Sequence, residues 1–256
     1  MDSVMAEQGA VVFWVAMAVT LFAGFVKGAV GFAMPLIMIG AFSAFLPPQV
    51  ALAGLILPTL FTNIAQAFRD GPAAAMDCAR TYWRFLVGTV VFIVISAQFV
   101  TMMPRGAFLI VLGVPITAFA LLQLSGLPLA LRLEHRVRAE WGAGVVGGLY
   151  GGISGVWGPP LIVYLLSVGA PKAETLRVQG VVFLIGSVVL LSAHLGSGVM
   201  DAATVPFSAA LVVPAMAGQL LGQRLGARLD QARFRRWTQV LLVVTGLNLI
   251  RGALMG

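Results

Sequence analysis

Cysteine is nearly missing from this chain: Cys78 stands alone among 256 residues. A single thiol excludes an internal disulfide and a paired-thiol redox site. Charge is scarce as well. Only 10% of the residues are charged, against about 25% in an ordinary soluble domain, whose surface has to face water. The stretch Met1 to Gly9 carries Asp2 and Glu7 but no basic residue, so it lacks the positive start of a signal peptide. No nucleotide-binding motif is present, so ATP could drive the protein only through another subunit. All nine acidic residues, from Asp2 to Asp230, fall in loops or at the ends of apolar segments.

The rest is apolar. Hydrophobic residues make up 60% of the chain, and the mean hydropathy is +1.00. They come in runs of roughly 18 to 23, long enough to cross a hydrocarbon core about 30 Å thick. Ten segments can be marked: Ala10–Lys27, Ala29–Phe45, Gln49–Phe68, Tyr82–Met102, Ala107–Leu127, Trp141–Trp157, Pro159–Val168, Leu176–Leu195, Thr204–Gly222 and Trp237–Leu254. Helix is the state that satisfies the backbone in lipid, since unclosed strands would leave groups unpaired. The first two segments are separated only by glycine, as are the sixth and the short seventh, so each pair reads as a broken hairpin.

The net charge of +7 does not point to nucleic acid, because the basic residues sit in short loops between apolar runs. Numbering the loops alternately, one side receives Arg69, Arg80, Arg84, Arg132, Arg136, Arg138, Lys172, Arg177, Arg224, Arg228, Arg233, Arg235 and Arg236. The other side receives Arg105 and Arg251. That bias predicts a cytoplasmic arginine-rich side and both termini outside. Lys27 belongs to no loop.

An internal repeat is visible. The stretch from Gly24 to Pro35, GFVKGAVGFAMP, recurs from Gly148 to Pro159 as GLYGGISGVWGP. Gly24/Gly148, Gly28/Gly152, Gly31/Gly155 and Pro35/Pro159 all repeat at an offset of 124. Five segments per half is an odd number, so the second half must enter the membrane with opposite polarity, as in many secondary transporters. The expected fold is therefore all-α: a polytopic membrane protein of two inverted repeats, each starting with a broken glycine–proline hairpin. Residues 1–127 form the first repeat, 128–140 a cytoplasmic connector lying on the membrane surface, and 141–256 the second repeat.

Glycine lets each hairpin leave helical geometry, and proline suits the first turn of the helix that restarts. Each break then presents a helix N-terminus with free N–H donors and partial positive charge, which suits a small oxyanion. Glycines four apart have another use, close packing of membrane helices. Lys27, inside the first motif, is either a counter-charge for an anion or the snorkelling end of a full span. With no carboxylate inside the segments, the site leans towards an anion. Thr59, Thr62, Asn63 and Gln66 run along the third segment, and Ser187 and His194 along the eighth. Such residues serve either interhelical hydrogen bonding or a site. His194 is the first suspect if protons are coupled. Tyr150, Ser154 and Trp157 flank the second break.

The stretches AGFVKGAVGFAMP and GGLYGGISGVWGPP, with the later GQLLGQRLG run and the compact length, resemble the TauE/SafE family of bacterial membrane permeases. The resemblance covers essentially the whole chain. It implies an inner-membrane permease moving sulfite, an organosulfonate such as sulfoacetate, or a related small anion, often outward. Gly28, Gly31, Pro35, Gly152, Gly155 and Pro159 carry over as the family's motif positions, whereas Lys27 does not.

The expected function is thus a secondary transporter of a small anion, without enzymatic activity, cofactor or metal. Its substrate-binding candidates are Lys27, Gly28, Gly31, Pro35, Asn63, Gln66, Gly152, Ser154, Gly155, Trp157 and Pro159. Its partners are the anion and the lipid bilayer, with no nucleic acid and with a homodimer left open. Two other readings were weighed. Gly152-Ile-Ser154-Gly155 with His194 has the makings of an intramembrane serine hydrolase. Against that, Val30 stands in the first half where Ser154 stands in the second. A membrane scaffold without transport is the other, and it would not need the glycine breaks.

Overall fold

The structure, a computed structural model, describes residues 2–126, 130, 134–226 and 230–255. Every regular element among them is a helix: α1 (Asp2–Val30), α2 (Met34–Phe42), α3 (Pro48–Ala67), α4 (Pro72–Thr81), α5 (Trp83–Ala97), α6 (Arg105–Leu124), α7 (Arg136–Ser154), α8 (Gly158–Ser167), α9 (Lys172–Gly196), α10 (Thr204–Ala210), α11 (Val212–Gly226) and α12 (Gln231–Met255). Six stretches are long and apolar enough to cross a membrane, in α1, α3, α6, α9, the α10–α11 pair and α12. The α4–α5 pair, bent by 82°, makes a seventh if it counts as one span. Short α2 and α8 and glycine-rich α7 are not among them.

The helices depart from the apolar segments in a few places. Residues between the third and fourth segments are not all loop, since Pro72 opens α4, an amphipathic helix that buries Ala75 and Cys78. The ninth segment breaks at Leu211, where Pro214 has no N–H to offer the Ala210 carbonyl. Helix α7 starts at Arg136, so the expected connector 128–140 is helical over its last five residues, and Glu140 is buried. Residues 128, 129 and 131–133 of that connector, and Arg132 and Arg228 of the basic set, lie outside the described residues.

Glycine decides how the helices pair. Along α1 and α11, Gly218 meets Leu21, Gly222 meets Phe25 and Gly226 meets Ala29. Both sets of numbers rise together, so these helices run parallel. A Cβ at Gly28 would sit 2.2 Å from the Gln219 carbonyl oxygen, and one at Gly222 would sit 2.1 Å from that of Phe25. The seam closes only because small residues let the backbones touch. Helices α5 and α7 repeat the arrangement, with Gly144 on Phe85, Gly148 on Thr89 and Gly152 on Ile93. The two helices that end in glycine breaks, α1 and α7, thus each pack on a helix from the other half of the chain.

Two antiparallel pairs complete the bundle. In α3 and α9, Gly180 packs on Gln66, and the Asn63 amide donates to the Phe183 carbonyl at 2.9 Å. In α6 and α12, Gly113 meets Gly246, and Gly106 lies nearest Ala253. At the far end of that pair Gln123 Oε1 accepts from Arg235 at 2.8 Å and from Gln239 at 2.6 Å. Arg105 and Arg251 therefore share one end of the α6–α12 pair, and Arg235 occupies the opposite one.

Candidate functional site

Each half closes its first helix in the same way. The Gly31 N–H donates to the Lys27 carbonyl and the Gly155 N–H to the Gly151 carbonyl, both at 2.7 Å. Gly31 has φ +88° and Gly155 φ +72°, a left-handed turn that ends the helix at little steric cost. The chain restarts as α2 and α8, with Pro35 and Pro159 in their first turns. Neither N-cap residue, Ala33 or Trp157, supplies a side-chain cap. Because Pro35, Pro159 and Pro160 have no N–H, the first-turn donors are those of Met34 and Leu36 in α2 and of Gly158 alone in α8.

Both restarts open on one cavity of about 20 Å³. Phe32, Ala33, Pro35 and Leu36 line it from the first half, and Gly155, Val156, Trp157 and Gly158 from the second. Lys27, Thr59, Asn63 and Phe183 complete the wall. That volume suits about one water molecule. Ala33 holds φ +79°, unusual for a residue with a Cβ, so backbone strain sits in this wall.

The polar groups around the cavity are almost all donors. Lys27 is only 2% exposed. Its amine donates to Thr62 Oγ1 at 2.8 Å and to Asn63 Oδ1. Among the described residues the ion pairs are Arg84–Glu140 and Arg177–Asp70, so no carboxylate answers Lys27. Thr59 Oγ1 and Trp157 Nε1 are buried with no hydrogen-bond partner. A buried amine without a carboxylate and unsatisfied buried donors are costly, and a ligand site is where such a cost is recovered. Pro58 helps to place Thr59 by opening the α3 backbone, where Ser208 Oγ accepts from Leu57 N–H at 3.2 Å.

The breaks are braced by exchanged positions. Gly31 lies against Leu176 and Gln179, and Gln66 donates to its carbonyl at 3.1 Å. Gly155 lies against Leu52, Leu55 and Leu190. Leu52/Leu176, Leu55/Gln179 and Gln66/Leu190 are all pairs at the 124-residue offset.

Of the sequence candidates, the cavity gathers Lys27, Pro35, Asn63, Gly155 and Trp157. Gly31 and Gln66 lie behind it, joined by their own hydrogen bond, and Pro159 sits one residue further into α8. Gly28 and Gly152 do not reach it: they belong to the parallel seams, where a Cβ would strike Gln219 or Ser96. Ser154 is turned into its own helix end, donating to the Tyr150 carbonyl at 2.7 Å and accepting from Val156 N–H at 3.1 Å. His194 is fully buried, its Nε2 2.9 Å from the Gly152 carbonyl and its Nδ1 3.1 Å from Ser197 Oγ. Serine and histidine thus have separate partners and do not form the pair a hydrolase needs. Thr59, named along the third segment but not among the substrate-binding candidates, also lines the cavity, as do Ala33 and Phe183.

One cavity built from both halves is the geometry against which the family comparison can be read. The chain matches the family described as sulfite exporter TauE/SafE over residues 16–249, which takes in both breaks and the cavity. The chain belongs to the TauE/SafE family. No curated protein and no solved structure matches it. TauE/SafE membership and the six long apolar helices make it a multi-pass membrane protein of a transporter family.

Proposed function

We propose that this TauE/SafE protein is a secondary transporter that exports a small sulfur oxyanion, sulfite or an organosulfonate such as sulfoacetate. The observation that carries the reading is Lys27, a buried amine with no carboxylate partner, beside a cavity whose other free groups are the Thr59 hydroxyl and the Trp157 N–H. An oxyanion is the partner the Lys27 amine lacks, and it accepts from the two unpartnered groups and from the first-turn N–H groups of Met34, Leu36 and Gly158. Lys27, Asn63, Gly155, Trp157 and Pro35 are its contacts under this reading. Gly31, Gln66, Ser154 and Pro159 shape the breaks, and Gly28 and Gly152 hold the seams.

A cavity of about 20 Å³ is too small for an anion of four or more non-hydrogen atoms. Loading such an anion therefore requires the two breaks to separate. Rocking of one repeat against the other supplies that separation. The exchanged bracing of Gly31 and Gly155 supports two inverted repeats, 1–127 and 141–256, joined by the 128–140 connector. Basic residues at the starts of α7, α9 and α12 support a cytoplasmic face there, with both termini outside, in a bacterial inner membrane. The partners are the anion and the bilayer, and no chemical step is assigned.

The test is flux in proteoliposomes with sulfite, sulfoacetate, sulfate and acetate. Saturable flux of a sulfur oxyanion, lost in Lys27→Ala, is the expected result. Flux that is unchanged in Lys27→Ala, or absent for every anion, overturns it.

A further inference from the structure

A second cavity, of about 310 Å³, lies at the arginine-poor end of the bundle, between the end of α2, the start of α6 and the last turns of α12. It is lined by Ser43, Arg105, Asn248 and Arg251 above an apolar floor that includes Leu109 and Leu249. Arg105 and Arg251 are the basic residues that the loop pattern leaves outside the cytoplasmic set, and both come to this one space. No ion pair forms at either among the described residues. Asp201, the carboxylate of the loop before α10, accepts from the N–H groups of Thr204 and Ala203 at 2.8 and 2.9 Å, which holds its pKa below the usual range.

Three further features suit an anion. Arg105 is the first residue of α6, a twenty-residue helix with no side-chain cap, so the positive end of its dipole lies at this end of the bundle. Asn248 and Arg251 are three apart on α12 and share a face. Ser43, only 2% exposed, lines the cavity with a hydroxyl that has no partner. A buried hydroxyl without a partner is costly unless a ligand accepts from it. We propose that this cavity is an oxyanion site, holding either the phosphate of an anionic phospholipid or a free oxyanion. The arginines and Ser43 bind the oxygens, and the apolar floor takes carbon, which is the division a lipid headgroup and its first methylenes need.

The site is separate from the Lys27 cavity, so its test is run in wild-type protein and again in Lys27→Ala. Delipidated protein in neutral detergent is titrated with phosphatidylglycerol, with phosphatidylcholine and with inorganic phosphate, read by native mass spectrometry and by thermal melting. One bound phosphatidylglycerol or phosphate is expected, weakened about ten-fold or more in Arg105→Gln/Arg251→Gln and less in Ser43→Ala. Arg105→Lys/Arg251→Lys should keep most of the binding, which separates lost charge from lost fold. Arg236→Gln, at the arginine-rich end, should leave it unchanged. Saturation by phosphatidylglycerol alone identifies a lipid site, and saturation by phosphate as well identifies a site for free oxyanions. Equal binding of both ligands by wild type and the double glutamine variant overturns the proposal.

Discussion

Trp157 lies over Gly151, the residue that stands in the second half where Lys27 stands in the first. A Cβ at Gly151 would meet the indole at 2.9 Å, and one at Gly186 would meet it at 2.6 Å. Gly186 in turn is the counterpart of Thr62, which accepts from Lys27. The two halves therefore fill equivalent space with different chemistry, an amine in one and an indole in the other. That asymmetry places an amine on one side of the cavity only.

Lys27→Met should separate function from stability. A charge-assisted hydrogen bond to an anion is worth about 1.5–3 kcal/mol, so the apparent affinity for the transported anion should fall roughly ten-fold to a hundred-fold. The melting temperature should change little, because relief from burying an amine with no carboxylate is offset by the Asn63 Oδ1 acceptor losing its donor. Sulfite flux and thermal melting on the same preparation check this. A large drop in melting temperature that accounts for the lost flux would make Lys27 a structural residue.

Thr59→Val and Trp157→Phe extend the same logic to neutral donors. Thr59→Val removes a buried hydroxyl with no partner and should leave stability unchanged or raise it by up to about 1 kcal/mol. Trp157→Phe, by contrast, also leaves a void over Gly151 and Gly186 and should lower the melting temperature modestly. Flux should drop several-fold in each. If either variant unfolds at clearly lower temperature with flux per folded molecule intact, the donor is not serving the anion.

The glycines of the repeat divide into two physical roles, and their melting behaviour should divide with them. Gly28→Ala and Gly152→Ala push a methyl into Gln219 and Ser96, an overpacking that costs about 1–3 kcal/mol. Gly142→Ala, on an exposed face of α7 with nothing within 4 Å, should be close to neutral. Equal effects at all three positions would remove the parallel seams from the account of stability.

That division marks how far the residues alone could be read. The repeat, the two breaks and Lys27 were legible because proline and positive-φ glycine leave a local signature, and a buried lysine is rare. The role of Gly28 and Gly152 was not, because glycines four apart look alike in a seam and in a break. Their partners lie elsewhere, in Gln219 and Gln223 of the GQLLGQRLG run for the first and in α5 for the second. Helix α4 was hidden for the opposite reason, since a short amphipathic helix has none of the apolar length that marks a span. Ser43 and Thr59 could not be chosen from other hydroxyls, because being unpartnered is a property of the neighbours and not of the residue.

Backbone conformation and volume can be told apart at the second break. Gly155 has φ +72°, and a Cβ there would lie 2.6 Å from a Leu55 methyl carbon, the movable end of a flexible side chain. A left-handed conformation costs about 1–2 kcal/mol for most residues with a Cβ, and less for asparagine, whose side chain can bond locally. Gly155→Asn should therefore keep more stability and more flux than Gly155→Val, although the two side chains are similar in size. The same order should hold at Gly31, where φ is +88° and the neighbouring methyl belongs to Leu176. If asparagine and valine are equally damaging at both sites, the defect comes from crowding against Leu55 and Leu176. The breaks would then be needed for the space they leave in the wall and not for the turn they make.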